Sequence, residues 1–238
     1  FTAPPDQLFG EGREINGRHF VAAAITSIDA YALRIQVNFP DESENTPLYT
    51  VDPIGQRVFG PASKADSIQG TLVLPLVEGD TALLVADVTE GALPTVSVTG
   101  LSHIFVDMRT EPAAKELWCN VNIACETDPA IQALSTAVGR VVVTFSSLST
   151  VWGSGTLLEW PDTPEREPFF LTAHHVLGDP SAVARTEIFW DFRSSECASD
   201  DSPPLAQLPR SKGNKMLAEN ENLDLVLIRL KSVPTGAY

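Results

Sequence analysis

Two adjacent histidines close an apolar run, Pro168-Phe-Phe-Leu-Thr-Ala-His174-His175-Val-Leu. Further along, Asn222-Leu-Asp224-Leu-Val-Leu-Ile-Arg-Leu230 sets a carboxylate in an apolar strand pattern. Alternation puts Asp224 on the same face as Val226 and Ile228, which predicts desolvation. An ionised carboxylate there needs hydrogen-bond donors, since leaving it unpaired costs on the order of several kcal/mol. A histidine is a natural partner. An Asp–His pair orients the imidazole and stabilises the imidazolium formed when the ring takes a proton. Taken separately, the same residues also read as a capping aspartate and a core histidine.

Other reactive side chains form weaker patterns. Cys119, Cys125 and Cys197 make an odd number with no C-x2-C spacing, so a zinc cluster is not expected. One disulfide plus an unpaired thiol fits an oxidising compartment, and a leftover half-cystine points to a partner elsewhere. His19 and His103 fall within strand patterns, where partly buried structural histidines are the ordinary case. Asp41-Glu42-Ser43-Glu44 and Asp200-Asp201 read as solvated acidic loops, because neither has EF-hand spacing. No glycine-rich phosphate loop is present. The sequence implies neither a metal nor a cofactor.

Composition narrows the function classes. The chain has 238 residues, 43% of them hydrophobic and 20% charged, which is ordinary for a globular protein. At about 150 residues per domain, one large or two small domains are expected. No run approaches the ~20 consecutive apolar residues that span a bilayer, so no membrane is expected as a partner. Residues 1–20 lack the basic start and apolar centre of a signal peptide; an exported protein would already have lost its signal. The formal charge of −15 is evenly spread, with 7 basic against 15 acidic residues in 1–115 and 9 against 16 in 116–238. A field of that sign repels phosphate backbones, so nucleic acid is not an expected partner either.

The elements that must position His175 and Asp224 are strands. Residues 31–39 alternate, with Leu33, Ile35, Val37 and Phe39 on one side and Arg34, Gln36 and Asn38 on the other: a half-buried strand. Asp52-Pro53-Ile54-Gly55 reads as a type I turn joining 48–51 to 56–59. A second hairpin is expected from 71–77 and 81–88 around Glu78-Gly79-Asp80, then strands at 95–98 and 103–106 broken at Gly100. Such spacing predicts a β-sandwich of about eight strands over residues 1–112. Residues 109–118 read as a linker. Beyond it, 130–136 suits a helical turn, and a strand nearly as well. Strands are expected at 140–145, 156–160, 169–172, 187–192 and 223–230, with 198–216, rich in Ser, Pro and Asp, as surface loop. Both regions are all-β.

Gly-Ser-Gly-Thr-Leu-Leu (153–158), Leu-Thr-Ala-His-His (171–175) and Leu-Asp-Leu-Val-Leu-Ile (223–228) occur in the order of the first barrel of a trypsin-like serine protease. Residues 117–238 more closely resemble the bacterial lysyl endopeptidase family. Phe189-Trp-Asp-Phe-Arg-Ser-Ser-Glu-Cys197 looks like that family's aromatic strand leading to a cysteine, and Cys119-Asn-Val-Asn-Ile-Ala-Cys125 like its paired-cysteine start. The resemblance implies the first half of a chymotrypsin-like double β-barrel. It makes His175 the general base, His174 a structural neighbour, and Asp224 the residue that orients His175. It pairs Cys125 with Cys197 and leaves Cys119 matching a half-cystine whose partner lies in the second barrel.

The sequence departs from the family in two ways. The usual cystine beside the catalytic histidine is replaced by Gly153 and Val176. Fourteen residues follow Asp224, and the family's nucleophilic serine, oxyanion hole and specificity pocket belong to a second barrel that the chain does not carry. Ser154 falls on a strand ahead of His175 and reads as structural. Without its nucleophile a triad loses a factor on the order of 10⁶ in turnover, so this chain alone is expected to be inactive, as a portion of a longer enzyme or one half of a nicked one.

Tyr49–Pro61, Val77–Thr81 and Leu101-Ser-His103 are similar to the β-sandwich that precedes the protease in such precursors, which implies a propeptide or accessory domain. Lys115 lies where the family is processed, and also reads as an ordinary linker lysine. The expected function is therefore the N-terminal portion of a secreted serine endopeptidase, acting on protein or peptide substrates, with lysine as the family's default preference. A catalytically inactive protease-like binding module is the first alternative. A chaperone or inhibitor, whose sandwich masks the protease cleft, is the second.

Overall fold

Strands dominate both halves of the chain. The computed structural model describes residues 4–40, 46–109, 122–158, 167–197, 199 and 202–235. They divide into two units, Phe1–Asp107 and Met108–Tyr238.

The first unit contains β1 (Arg13–Ile15), β2 (Arg18–Thr26), β3 (Ala32–Asn38), β4 (Leu48–Asp52), β5 (Arg57–Ala62), β6 (Thr71–Val73), β7 (Val77–Glu78), β8 (Thr81–Val88) and β9 (Ser97–Ile104). One sheet runs β1-β2-β8-β4-β5; in the other, β3 pairs with β6, β7 and β9. Period-two alternation lets the sheets share a core. Val21, Ala23, Ile25 and Leu84 from the first sheet join Leu33, Ile35, Val37 and Val98 from the second in one buried cluster. The unit is a two-sheet, all-β sandwich.

Several local expectations need correction. Residues 71–77 and 81–88 are not a hairpin: β7 pairs with β3, whereas β8 lies between β2 and β4. The chain crosses from sheet to sheet at Gly79, which takes a left-handed conformation (φ +85) that glycine adopts without strain. Gly100 does not break a strand. It sits in a bulge of continuous β9, where Gln36 faces Gly100 but Val37 faces Val98. Arg34 is buried, not on a polar face, and its Nε donates to the Leu74 carbonyl at 3.2 Å; β3 is the strand that all the others of its sheet flank. The β1–β2 hairpin turns on Asn16-Gly17, both left-handed (φ 52 and 75), as two-residue hairpin turns require. The Asp52 turn forms as its residues predict, with Oδ1 accepting from the N–H groups of Ile54 (2.9 Å) and Gly55 (2.7 Å).

The second unit is a closed barrel of β10 (Val138–Thr144), β11 (Thr150–Leu158), β12 (Phe169–Thr172), β13 (Thr186–Trp190), β14 (Arg210–Asn220) and β15 (Leu225–Leu230). The order around it is β10-β11-β12-β15-β14-β13, returning to β10. Val141, Val143, Phe170, Ile188, Val226 and Ile228 point inward and are buried, with Phe170 set edge-on against Trp190 at 5.8 Å. Burying one such side chain is worth about 1.5–3 kcal/mol relative to exposure.

Residues 198–216 are not all loop. Leu205–Gln207 form a turn with Leu205 and Ala206 buried, and β14 begins at Arg210. The strand takes its backbone partners from β13 and β15, not from its own weak propensity. Residues 130–136 resolve as helix, Pro129–Ser135, because Asp128 caps it (Oδ1 accepting from Ala130 N–H, 2.8 Å) and Pro129 suits its first turn. Gln132 on this helix donates to the carbonyls of Ile123 and Glu126. A disulfide links Cys125 to Cys197, with their Cα atoms 4.4 Å apart. Asn122 adds a hydrogen bond to Ser194 at 3.0 Å.

Candidate active site

Strand register brings the histidines and the aspartate together. β12 and β15 are antiparallel neighbours with Thr172 opposite Val226. Carried two residues further, that register sets position 174 opposite 224. After Thr172 the chain enters a four-residue helical turn, His174–Leu177, whose Val176 and Leu177 are buried and anchor it to the barrel. On the other side Asp224 ends the turn that follows β14, its N–H donating to the Glu221 carbonyl at 3.1 Å.

Asp224 is therefore not inside a strand, and it is not desolvated. It precedes Leu225, the first residue of β15, and its side chain is 50% exposed. Its backbone is left-handed (φ 52), which aspartate tolerates better than most residues. That kink turns the side chain out of the strand's alternation and toward the histidine turn.

The carboxylate is held by donors. Oδ1 accepts the His175 backbone N–H at 2.8 Å, and Oδ2 lies 2.7 Å from His175 Nδ1. The His175 backbone N–H is the first cause that keeps the Asp224 carboxyl below its ordinary range, followed by the His175 ring and, more weakly, the His174 backbone N–H. An ionised carboxylate only accepts, so Nδ1 carries the proton and Nε2 is left as the basic nitrogen. The His175 side chain is 73% exposed. Such a ring can take a proton at Nε2 while its other nitrogen is fixed.

The other sequence-level candidates fall as follows. His174 is turned away from Asp224's side chain, its Nε2 3.6 Å from Glu219 Oε2. Gly153 and Val176 face each other: a Cβ on Gly153 would lie 2.7 Å from Val176 Cγ2. Ser154 is exposed on β11, and its carbonyl accepts the Thr172 hydroxyl at 2.9 Å. A mainly apolar groove of about 400 Å³ runs past Asp224, lined by Ser154, Gly155, Thr172, Ala173 and Leu225. In the sandwich, the His103 ring shares a 2.7 Å hydrogen bond with Ser27, and His19 lies over Gly12. Among the described residues no cluster of three or more His, Cys, Asp or Glu could hold a metal, and no helix is long and apolar enough to cross a membrane. Lys115, Cys119 and the acidic groups 41–44 and 200–201 lie outside the described residues.

What residue types alone do not reveal are the backbone N–H groups of His174 and His175 on the carboxylate, and Glu219 beside His174. Main-chain donors leave no mark in a sequence. Glu219 stands in a polar stretch with nothing to single it out.

A family model described as the C-terminal domain of lysyl endopeptidase matches residues 115–238. No solved structure matches the chain.

Proposed function

We propose a role for the barrel from one premise: the chain belongs to the lysyl endopeptidase family. The barrel supplies the histidine and the aspartate of a Ser-His-Asp triad in a secreted serine endopeptidase, and the nucleophilic serine comes from outside residues 1–238. The observation that carries this reading is the two-point grip of His175 on Asp224, through ring Nδ1 and backbone N–H. In the reaction His175 Nε2 removes the proton as the serine oxygen attacks the peptide carbonyl carbon. It then gives that proton to the departing amine, and repeats both steps with water to release the acyl group. Asp224 keeps the ring in the Nδ1–H form and stabilises the imidazolium. Cleavage after lysine is the preference that the family suggests.

The same reading extends to the parts around the barrel. The sandwich serves as a propeptide or accessory domain, and Lys115 is the processing point, which a mature N-terminus at Glu116 would report. Cys119 pairs with a cysteine of the remaining protease half. The chain by itself is inactive.

The deciding experiment uses the full-length protease that carries this chain, with peptide amides as substrates and an organophosphonate that labels activated serines. His175→Ala should abolish both labelling and turnover. Full turnover in that variant overturns the triad reading, and a wild-type protein that neither labels nor cleaves favours the inactive binding module.

A further inference from the structure

We infer that His174 and Glu219 form a second histidine–carboxylate clasp that positions the turn bearing His175 on the β14–β15 hairpin. The inference rests on the triad reading above and adds two positioning residues to it.

The helical turn that carries both histidines is poorly secured by its own sequence. It is four residues long, and Ala173 at its N-cap has no side-chain acceptor for the first backbone N–H groups. Asp224, from the turn ahead of β15, takes over that duty for the N–H groups of His174 and His175. Val176 and Leu177 pin the inner face. On the outer face His174 Nε2 lies 3.6 Å from Glu219 Oε2, within ion-pair range and longer than a hydrogen bond, at 24% and 45% side-chain exposure.

Two further features fit the clasp. Gly178 has an ordinary backbone (φ −77), so conformation does not demand glycine there. Space does: a Cβ would lie 2.7 Å from His174 Cε1, 2.8 Å from Nε2 and 2.8 Å from the His174 carbonyl oxygen. The absent side chain leaves the bed on which the ring lies as it reaches Glu219. Secondly, Glu219 pairs with Val226 across the hairpin that also presents Asp224. One hairpin thus offers two carboxylates, and one turn answers with two histidines. The nearest acid in sequence on the other side of the turn, Asp179, is occupied with Ser181 at 2.8 Å. Glu221 contributes its carbonyl to the Asp224 turn.

Catalytic geometry is sensitive to displacements of this kind, since about 1 Å of misplacement can cost a factor on the order of 10². The test compares His174→Ala, His174→Gln and Glu219→Gln with His175→Ala in the full-length protease. His174→Ala and Glu219→Gln should each lower kcat about tenfold with KM unchanged, and His174→Gln, which keeps a donor, should recover most of the loss. In the 238-residue chain, the low-field proton resonance of the His175–Asp224 hydrogen bond should broaden in His174→Ala and stay sharp in His174→Gln. Wild-type kcat and an unbroadened resonance in His174→Ala, with His175→Ala inactive, overturn the clasp and leave the triad standing. Full activity in His175→Ala overturns both.

Discussion

Asp224 meets His175 at two points, ring and main chain, so the aspartate fixes the orientation of the imidazole together with the position of the turn beneath it. A single contact to Nδ1 would leave the backbone free to shift under the ring. With both, ring and backbone are tied to one carboxylate.

Asp224→Asn keeps the shape and loses the acceptor that selects the Nδ1–H form. In the full-length protease kcat should fall by about 10⁴, with the fold unchanged by circular dichroism. A loss of less than tenfold would show that the ring does not depend on this carboxylate.

The grip also sets a pH dependence. The Asp224 carboxyl is held below its ordinary range by the His175 N–H, then by the His175 ring. A depressed folded-state value means that the contact stabilises the fold above the unfolded aspartate value and is lost as pH falls through the folded one. Carbon-13 titration of the chain should place the Asp224 midpoint below that of a free aspartate. His175→Ala, which removes the ring but keeps the backbone N–H, should raise it only part of the way.

Packing beside the site makes a separate prediction. Gly153→Ala would place its methyl against Val176, 2.7 Å from Cγ2, and should cost about 1–3 kcal/mol in urea unfolding. Adding Val176→Ala should return part of that loss, so the double variant is less destabilised than the two singles combined. Strict additivity would mean that the two side chains do not press on each other.

Cys125 and Cys197 close a loop of 72 residues in sequence separation. In the chain-entropy account, replacing both with serine should cost roughly 4 kcal/mol, read as a lower urea midpoint of the barrel unit. An unchanged midpoint would place the link in a part that unfolds on its own.

How much of this could be read from the sequence depended on where each element draws its stability. β3, β10, β12 and β15 announce themselves because Leu33, Ile35, Val141, Phe170, Val226 and Ile228 are branched or aromatic, alternate, and end up buried. β2, with Ala22-Ala23-Ala24, and β14, with Lys212-Gly213-Asn214-Lys215, carry weak strand propensity and are held by their neighbours' backbones. The Gly79 crossing is hidden in the sequence for a related reason. A short Gly turn looks alike whether it returns to the same sheet or passes to the facing one. His175 and Asp224 are legible as a pair by residue type, while the exposure of Asp224 is not, because it depends on β15 starting two residues later than expected, at Leu225.

The left-handed backbone at Asp224 has an energetic cost. Glycine would occupy that conformation with less strain, by about 1 kcal/mol. Against that strain stand the two bonds that the carboxylate makes to the ring and the backbone of His175. Asp224→Gly would relieve the backbone but release the histidine turn, so the melting temperature should not rise above that of the parent chain.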